Sequence, residues 1–131
     1  MKLVLSATST IREVKKQFNK SFPYLKLEFF TRGHRKGEPS SIRYMVDDKS
    51  MLLDITGVIR EGVFYFEPSI LTGDFEYKLQ ADFGIPVQVF RKSGGTWLET
   101  VDTDHISLEE QNNMAKASLQ RMSYNFYTLF L

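Results

Sequence analysis

The chain contains no cysteine, which excludes a disulfide framework, a thiolate metal site and a cysteine nucleophile. It also lacks any apolar run near the roughly 20 residues that a membrane-spanning helix needs. The opening MKLVLSATST carries one lysine and a short apolar run that stops after Leu5. A secretory leader requires about 7–15 apolar residues, so none is expected. Only two histidines and one tryptophan are present, and glycine and proline are missing from Trp97 to Leu131, so no strong helix breaker interrupts that stretch. These absences point to a cytoplasmic protein without membrane contact.

What is present is ordinary in amount and uneven in placement. At 131 residues, 42% hydrophobic and 25% charged, the chain has the length and composition of a single self-sufficient domain, 1–131. Eleven phenylalanines supply large rings for its core, each able to bury roughly 150–250 Å². The net charge of +1 conceals a division. Residues 1–43 hold ten Lys/Arg against three Glu, a net of +7, whereas the remainder holds seven basic against thirteen acidic residues, a net of −6. Such bipolarity predicts internal complementarity or self-association ahead of a polyanionic partner.

Local patterns divide the chain into two similar halves. Residues 2–6 read as a strand. Thr10-x-x-Glu13 is a capping box, and Ile11, Val14, Phe18 and Phe22 follow at helical spacing until Pro23 stops the helix. Leu25, Leu27 and Phe29 alternate with Lys26 and Glu28, as a half-buried strand does. After the polar loop TRGHRKGEPSS, residues 41–46 and 51–56 read as two strands of a hairpin turning at 47–50. In the second half, VFYFE (63–67) is a strand, Thr72 is placed to cap a helix, Leu71, Phe75, Leu79 and Phe83 mark its apolar face, and Gly84 closes it. Val87 and Val89 begin another strand, with residues 96–101 as its partner across a glycine turn.

The expected fold class is α+β: an antiparallel sheet with helices packed on one face, ferredoxin-like or a variant of it. It is built from two β-α-β halves at about 2–56 and 62–101. Ser107-x-x-Glu110 is a further capping box and opens a C-terminal helix from about 107 to 122 or beyond. The last residues, YNFYTLFL, suit a strand equally well. Leu108, Ala115, Leu119, Met122, Phe126 and Leu129 form one apolar stripe.

No motif of high chemical specificity occurs. TRGHRKG (31–37) and RKSGG (91–95) combine basic side chains with glycines, which can hold phosphate through guanidinium forks and backbone N–H groups. Neither matches a phosphate loop or a dinucleotide fingerprint, and neither opens a helix. The plainer readings are a solvated loop and a hairpin turn. Asp102, Asp104 and His105 contain metal-ligand atoms, but adjacent ligands need a distant fourth, for which His34 is the obvious choice; pre-helix turn chemistry explains them more simply. Ser107, His105 and Asp104 are too close along one helix cap to form a nucleophilic triad. Tyr24, Phe29, Phe30, Tyr44 and Phe90 lie near basic stretches, yet alternation buries most of them, and a pI near 7.9 is below that of typical nucleic-acid modules.

The segment 88–112, QVFRKSGGTWLETVDTDHISLEEQN, resembles a group of small bacterial proteins through the pattern VFRxSGxxWLETxxTDxxxLEEQN. The resemblance implies a compact cytoplasmic domain of bacterial type and transfers no functional site.

These readings favour a non-enzymatic interaction module, homodimeric through Leu119, Met122, Phe126, Leu129 and Phe130, with no cofactor and no metal. The alternative is a binder of a phosphorylated or polyanionic ligand through Arg32, His34, Arg35, Lys36, Arg91 and Lys92, with nucleic acid a disfavoured partner, and metal-assisted enzyme chemistry at 102–105 is the least favoured reading. That alternative needs the two basic loops to converge.

Overall fold

Helix α1 (Ile11–Ser21) begins where its capping box places it: the Thr10 hydroxyl accepts the Glu13 N–H at 3.2 Å, and the Glu13 carboxylate accepts the Thr10 N–H at 3.3 Å. The computed structural model describes residues 1–33, 42–56 and 60–130, the last seven as helical backbone. Strands β1 (Lys2–Leu5) and β2 (Leu25–Phe29) flank α1. The one-turn helix α2 (Leu53–Thr56) follows, then β3 (Gly62–Tyr65), α3 (Thr72–Phe83), β4 (Val87–Ser93), β5 (Thr96–Glu99) and α4 (Leu108–Phe130).

The fold is α+β with antiparallel ladders. β1 pairs with β3, and β2, β4 and β5 form a three-stranded ladder in that order. The strand–helix–strand order occurs twice, and like pairs with like: first strands together, last strands together. The result is a variant of the ferredoxin-like order with its pairings split between two ladders.

Leu3, Leu5, Phe64, Leu27, Phe29, Val87 and Val89 point inward from the strands to meet Val14, Phe18, Phe75, Leu79, Leu108 and Ala115 from the helices. Phenylalanine rings dominate the centre. Phe75 lies 5.5 Å from Phe18 and 5.1 Å from Phe66, within the range of favourable aromatic pairs.

Splitting the sheet leaves strand edges that must be satisfied, and helix side chains do this. Gln17 of α1 bonds both the N–H and the C=O of Val4. Asn19 donates to the carbonyl of Leu25 at 2.6 Å. Glu76 of α3 accepts the Val89 N–H at 2.7 Å. On β2, alternation fails at Glu28, which is buried because Lys15 of α1 holds both carboxylate oxygens at 3.0 and 3.1 Å.

Two local expectations are corrected. Residues 42–56 do not form a hairpin: Ile42–Tyr44 is a 3₁₀ turn, Met45 makes one bridge to Phe30, and residues 53–56 are helical. The aspartates redirect the backbone, since Asp47 accepts the Lys49 N–H at 2.7 Å and Asp54 accepts that of Met51 at 2.9 Å. The segment instead seals the start of α1, where the Ile11 and Arg12 N–H groups reach the carbonyls of Ser50 and Asp48. Thr72 is likewise not a cap. Its hydroxyl donates to the Ile106 carbonyl at 2.7 Å. The first amides of α3, at Thr72 and Gly73, are taken by the carbonyls of Ile106 and Asp104.

Gly84 closes α3 in the left-handed region at φ 72°. Ser107 caps α4 through the Glu110 N–H at 3.1 Å, and that helix continues through Phe130 rather than turning into a strand. Among the described residues, no helix is long and apolar enough to cross a membrane.

Candidate functional site

The β2–β4 register decides which basic residues can act together. Phe29 lies opposite Val87, and Leu25 lies opposite Arg91. The chain therefore leaves β2 toward Thr31 at one end of the ladder, while β4 reaches its turn at the other. Val87 and Ser93 are six residue steps apart, roughly 20 Å of strand. Arg32 stacks on the ring of Tyr44, its guanidinium carbon 4.5 Å from the ring centre, far along the ladder from Arg91 and Lys92. The two basic loops do not converge within the described residues. His34, Arg35 and Lys36 lie outside them.

RKSGG is a hairpin turn with a cavity beside it. Ser93 pairs with Thr96, and Gly94 adopts φ 57°, a left-handed conformation that glycine takes without strain. Helix α4 packs along this end of β4. The Ser118 hydroxyl accepts the Gly94 N–H at 3.1 Å and lies 3.2 Å from the Lys92 carbonyl. Asn112 accepts the Tyr24 N–H at 3.0 Å. Between hairpin and helix is a cavity of about 290 Å³.

Arg91, Lys92 and Ser93 form its strand wall, and Met114, Ala117, Ser118 and Arg121 form its helix wall. The helix residues are spaced i, i+3, i+4 and i+7, one face of α4. Pleating separates the two basic residues of β4. Arg91 shares the inward face with Val87 and Val89. The Lys92 ammonium is on the other face, 4.8 Å from the ring centre of Trp97, which Lys26 also covers at 5.1 Å. The positive side chains available to the cavity are therefore those of Arg91 and Arg121.

Arg91 is held by neutral partners. Its Nη1 donates to Gln111 Oε1 at 2.8 Å and to the Thr103 hydroxyl at 3.3 Å. Gln111 is fully buried, and its amide nitrogen donates to the carbonyl and hydroxyl oxygens of Thr103, both at 2.8 Å. Among the described residues neither Arg91 nor Arg121 enters a salt bridge, and no carboxylate lines the cavity.

The residues near the start of α4 take different positions. Asp104 is buried beside Glu76, whereas His105 and Asp102 face solvent. Burial, then the charges of Asp104 and Glu99, raise the Glu76 pKa to about 9 against the opposing effect of the Val89 N–H. Of the proposed interface residues, Leu119 is half-buried and Met122 is exposed; the side chains of Phe126, Leu129 and Phe130 are outside the described set. Ser118, Arg121 and Gln111 were not singled out by sequence reasoning. Their only advance signal is helical spacing, which many solvent-facing helices share.

No protein-family model matches the chain, and neither a curated protein nor a solved structure does.

Proposed function

We propose that the chain binds a small anionic ligand in the cavity between the β4–β5 hairpin and α4. The observation that carries this reading is the bonding of Arg91. A structural arginine is ordinarily neutralised by a carboxylate; this one is oriented by an amide and a hydroxyl, so among the described residues its charge has no carboxylate partner while its geometry is fixed. Ser93 and Ser118 add hydroxyls to the wall, and Arg121 adds a second cation. A volume of about 290 Å³ is at the lower end for small-molecule sites, which favours a compact ligand over a nucleic-acid strand.

Calorimetric titration with inorganic phosphate at low ionic strength tests this. Binding is expected, weakening as salt rises and falling at least tenfold in Arg91→Gln. Heat of binding that is absent in the wild type, or unchanged in the variant, rejects the reading.

A second reading, self-association through α4, is supported by the exposure of Met122 and its position in line with the buried Leu108 and Ala115. Light scattering across a concentration series tests it; a monomer throughout, or a dimer undisturbed by Met122→Glu, opposes it.

A further inference from the structure

The two arginines of the cavity do not lie side by side. Arg91 is anchored at Gln111, and Arg121 is ten residues further along α4, about 15 Å of helix axis. Helical side chains lean toward the N-terminus, and Gln111 does so as Arg121 does, its amide reaching back to Thr103, so the gap between the two cations stays at about 15 Å. Met114 and Ala117 occupy the floor between these levels, with Ser118 beside the hairpin. Met114 is 40% exposed, an apolar side chain left partly open to solvent. Met122 borders the same end of the hairpin, its sulfur 3.9 Å from where a Cβ on Gly94 would sit.

A cavity with a cation at each end and an apolar floor between them is filled only in part by an anion with a single charged centre. An inorganic ion satisfies one arginine and leaves methionine wet; a long monoanion places its apolar end against the second guanidinium. From this geometry, and resting on the anion-binding reading above, we infer that the ligand is a short α,ω-dianion: two anionic groups, carboxylate or phosphate, joined by an unbranched apolar spacer of about four to six carbons. One group meets the free edge of Arg91 with the Ser93 hydroxyl, the other meets Arg121, and the spacer lies on Met114 and Ala117.

The cavity limits how long the spacer can be, so affinity should pass through a maximum with chain length. Each methylene that becomes buried tightens binding by up to about fourfold, until the second charge overshoots Arg121.

The test is calorimetry on the full chain with dicarboxylates from succinate to azelate, with hexanoate as the one-charge control and inorganic phosphate as the probe of the Arg91 end alone. The expected result is a maximum near adipate, at least tenfold tighter than hexanoate. Arg121→Gln should reduce adipate to the hexanoate level and Met114→Ser should weaken adipate several-fold, in each case by a larger factor than the same substitution weakens phosphate. Both variants alter exposed positions and are expected to fold, which thermal melts verify. Equal affinity for adipate and hexanoate, or no dependence on chain length, overturns the inference. Phosphate binding without adipate binding overturns it while leaving the anion-binding function intact. Absence of binding to every probe removes both.

Discussion

Glu76 of α3 accepts the backbone N–H of Val89 at 2.7 Å, at the point on β4 where β5 no longer runs alongside. β5 pairs only from Phe90 onward, and Thr100 takes the Val89 carbonyl as the chain turns away. The carboxyl group thus replaces a missing strand. It is 3% exposed, and its other oxygen has no hydrogen-bond partner among the described residues.

Burial with Asp104 and Glu99 nearby raises this group to a pKa of about 9, so the folded protein keeps a proton that the unfolded chain releases above about pH 4.5. The stabilising contribution is fully present below that value and is lost as pH rises to about 9. Across this window the slope is about 1.4 kcal/mol per pH unit. Glu76→Gln keeps an acceptor for Val89 and removes the titration. It should be more stable than the wild type by on the order of 3 kcal/mol at pH 7, with the difference vanishing toward pH 4.5. Urea melts of both proteins between pH 4.5 and 9 measure this; parallel curves would show that Glu76 is ionised in the native state.

The anion-binding reading makes a sharper demand on Gln111 than on the arginines. Gln111→Glu keeps an oxygen for Arg91 but adds the negative charge that the native site omits. Phosphate affinity should fall at least tenfold, although the guanidinium is held as firmly as before. The variant also loses the amide donor to Thr103, at a cost of about 1–3 kcal/mol. A melt therefore accompanies the titration, and a folded variant with undiminished phosphate binding refutes the role given to the uncompensated charge.

How far the sequence announced these features depends on how local their causes are. The capping box at Thr10, the hydroxyl cap at Ser107, the stop at Gly84 and the alternation of Leu25, Leu27 and Phe29 involve residues a few positions apart, and each was legible. Residues 42–56 looked like strands because apolar residues alternate there, but Asp47 and Asp54 bond their own backbones, and Leu52 is drawn into the core. Thr72 had the right type for a cap, yet the carbonyls of Asp104 and Ile106, some thirty residues away, reached the helix amides first. The cavity depends on register. RKSGG was visible as a basic turn, but its partners are set by the packing of α4 twenty residues later. The loop with which it was paired by analogy leaves the opposite end of the ladder.

Lys15 offers a test of packing rather than binding. Its side chain is 16% exposed, and its ammonium bonds both oxygens of Glu28, itself 10% exposed, as well as the more exposed Asp48, with Lys26 more distant from Glu28 at 3.8 Å. Lys15→Met fills similar volume but strands a buried carboxylate on the second strand. A loss of about 3–5 kcal/mol is expected, and the double variant Lys15→Met/Glu28→Gln should recover much of it. A single variant as stable as the wild type would mean that Lys26 alone can hold the charge.

Gly94 separates the turn from the site it borders. At φ 57° a side chain costs about 1–2 kcal/mol in backbone strain, but an added Cβ would meet only the Met122 sulfur at 3.9 Å, an ordinary contact. Gly94→Ala should therefore lower stability by that amount without blocking the cavity. Its N–H, which donates to Ser118, is retained, so phosphate affinity should change less than threefold. Gly95 has nothing within 4 Å of an added Cβ and no left-handed φ, so Gly95→Ala is the matched control and should be nearly neutral in thermal melts. If Gly94→Ala is neutral as well, the left-handed turn is not what fixes the hairpin; if it abolishes phosphate binding while remaining folded, the hairpin tip contacts the ligand directly.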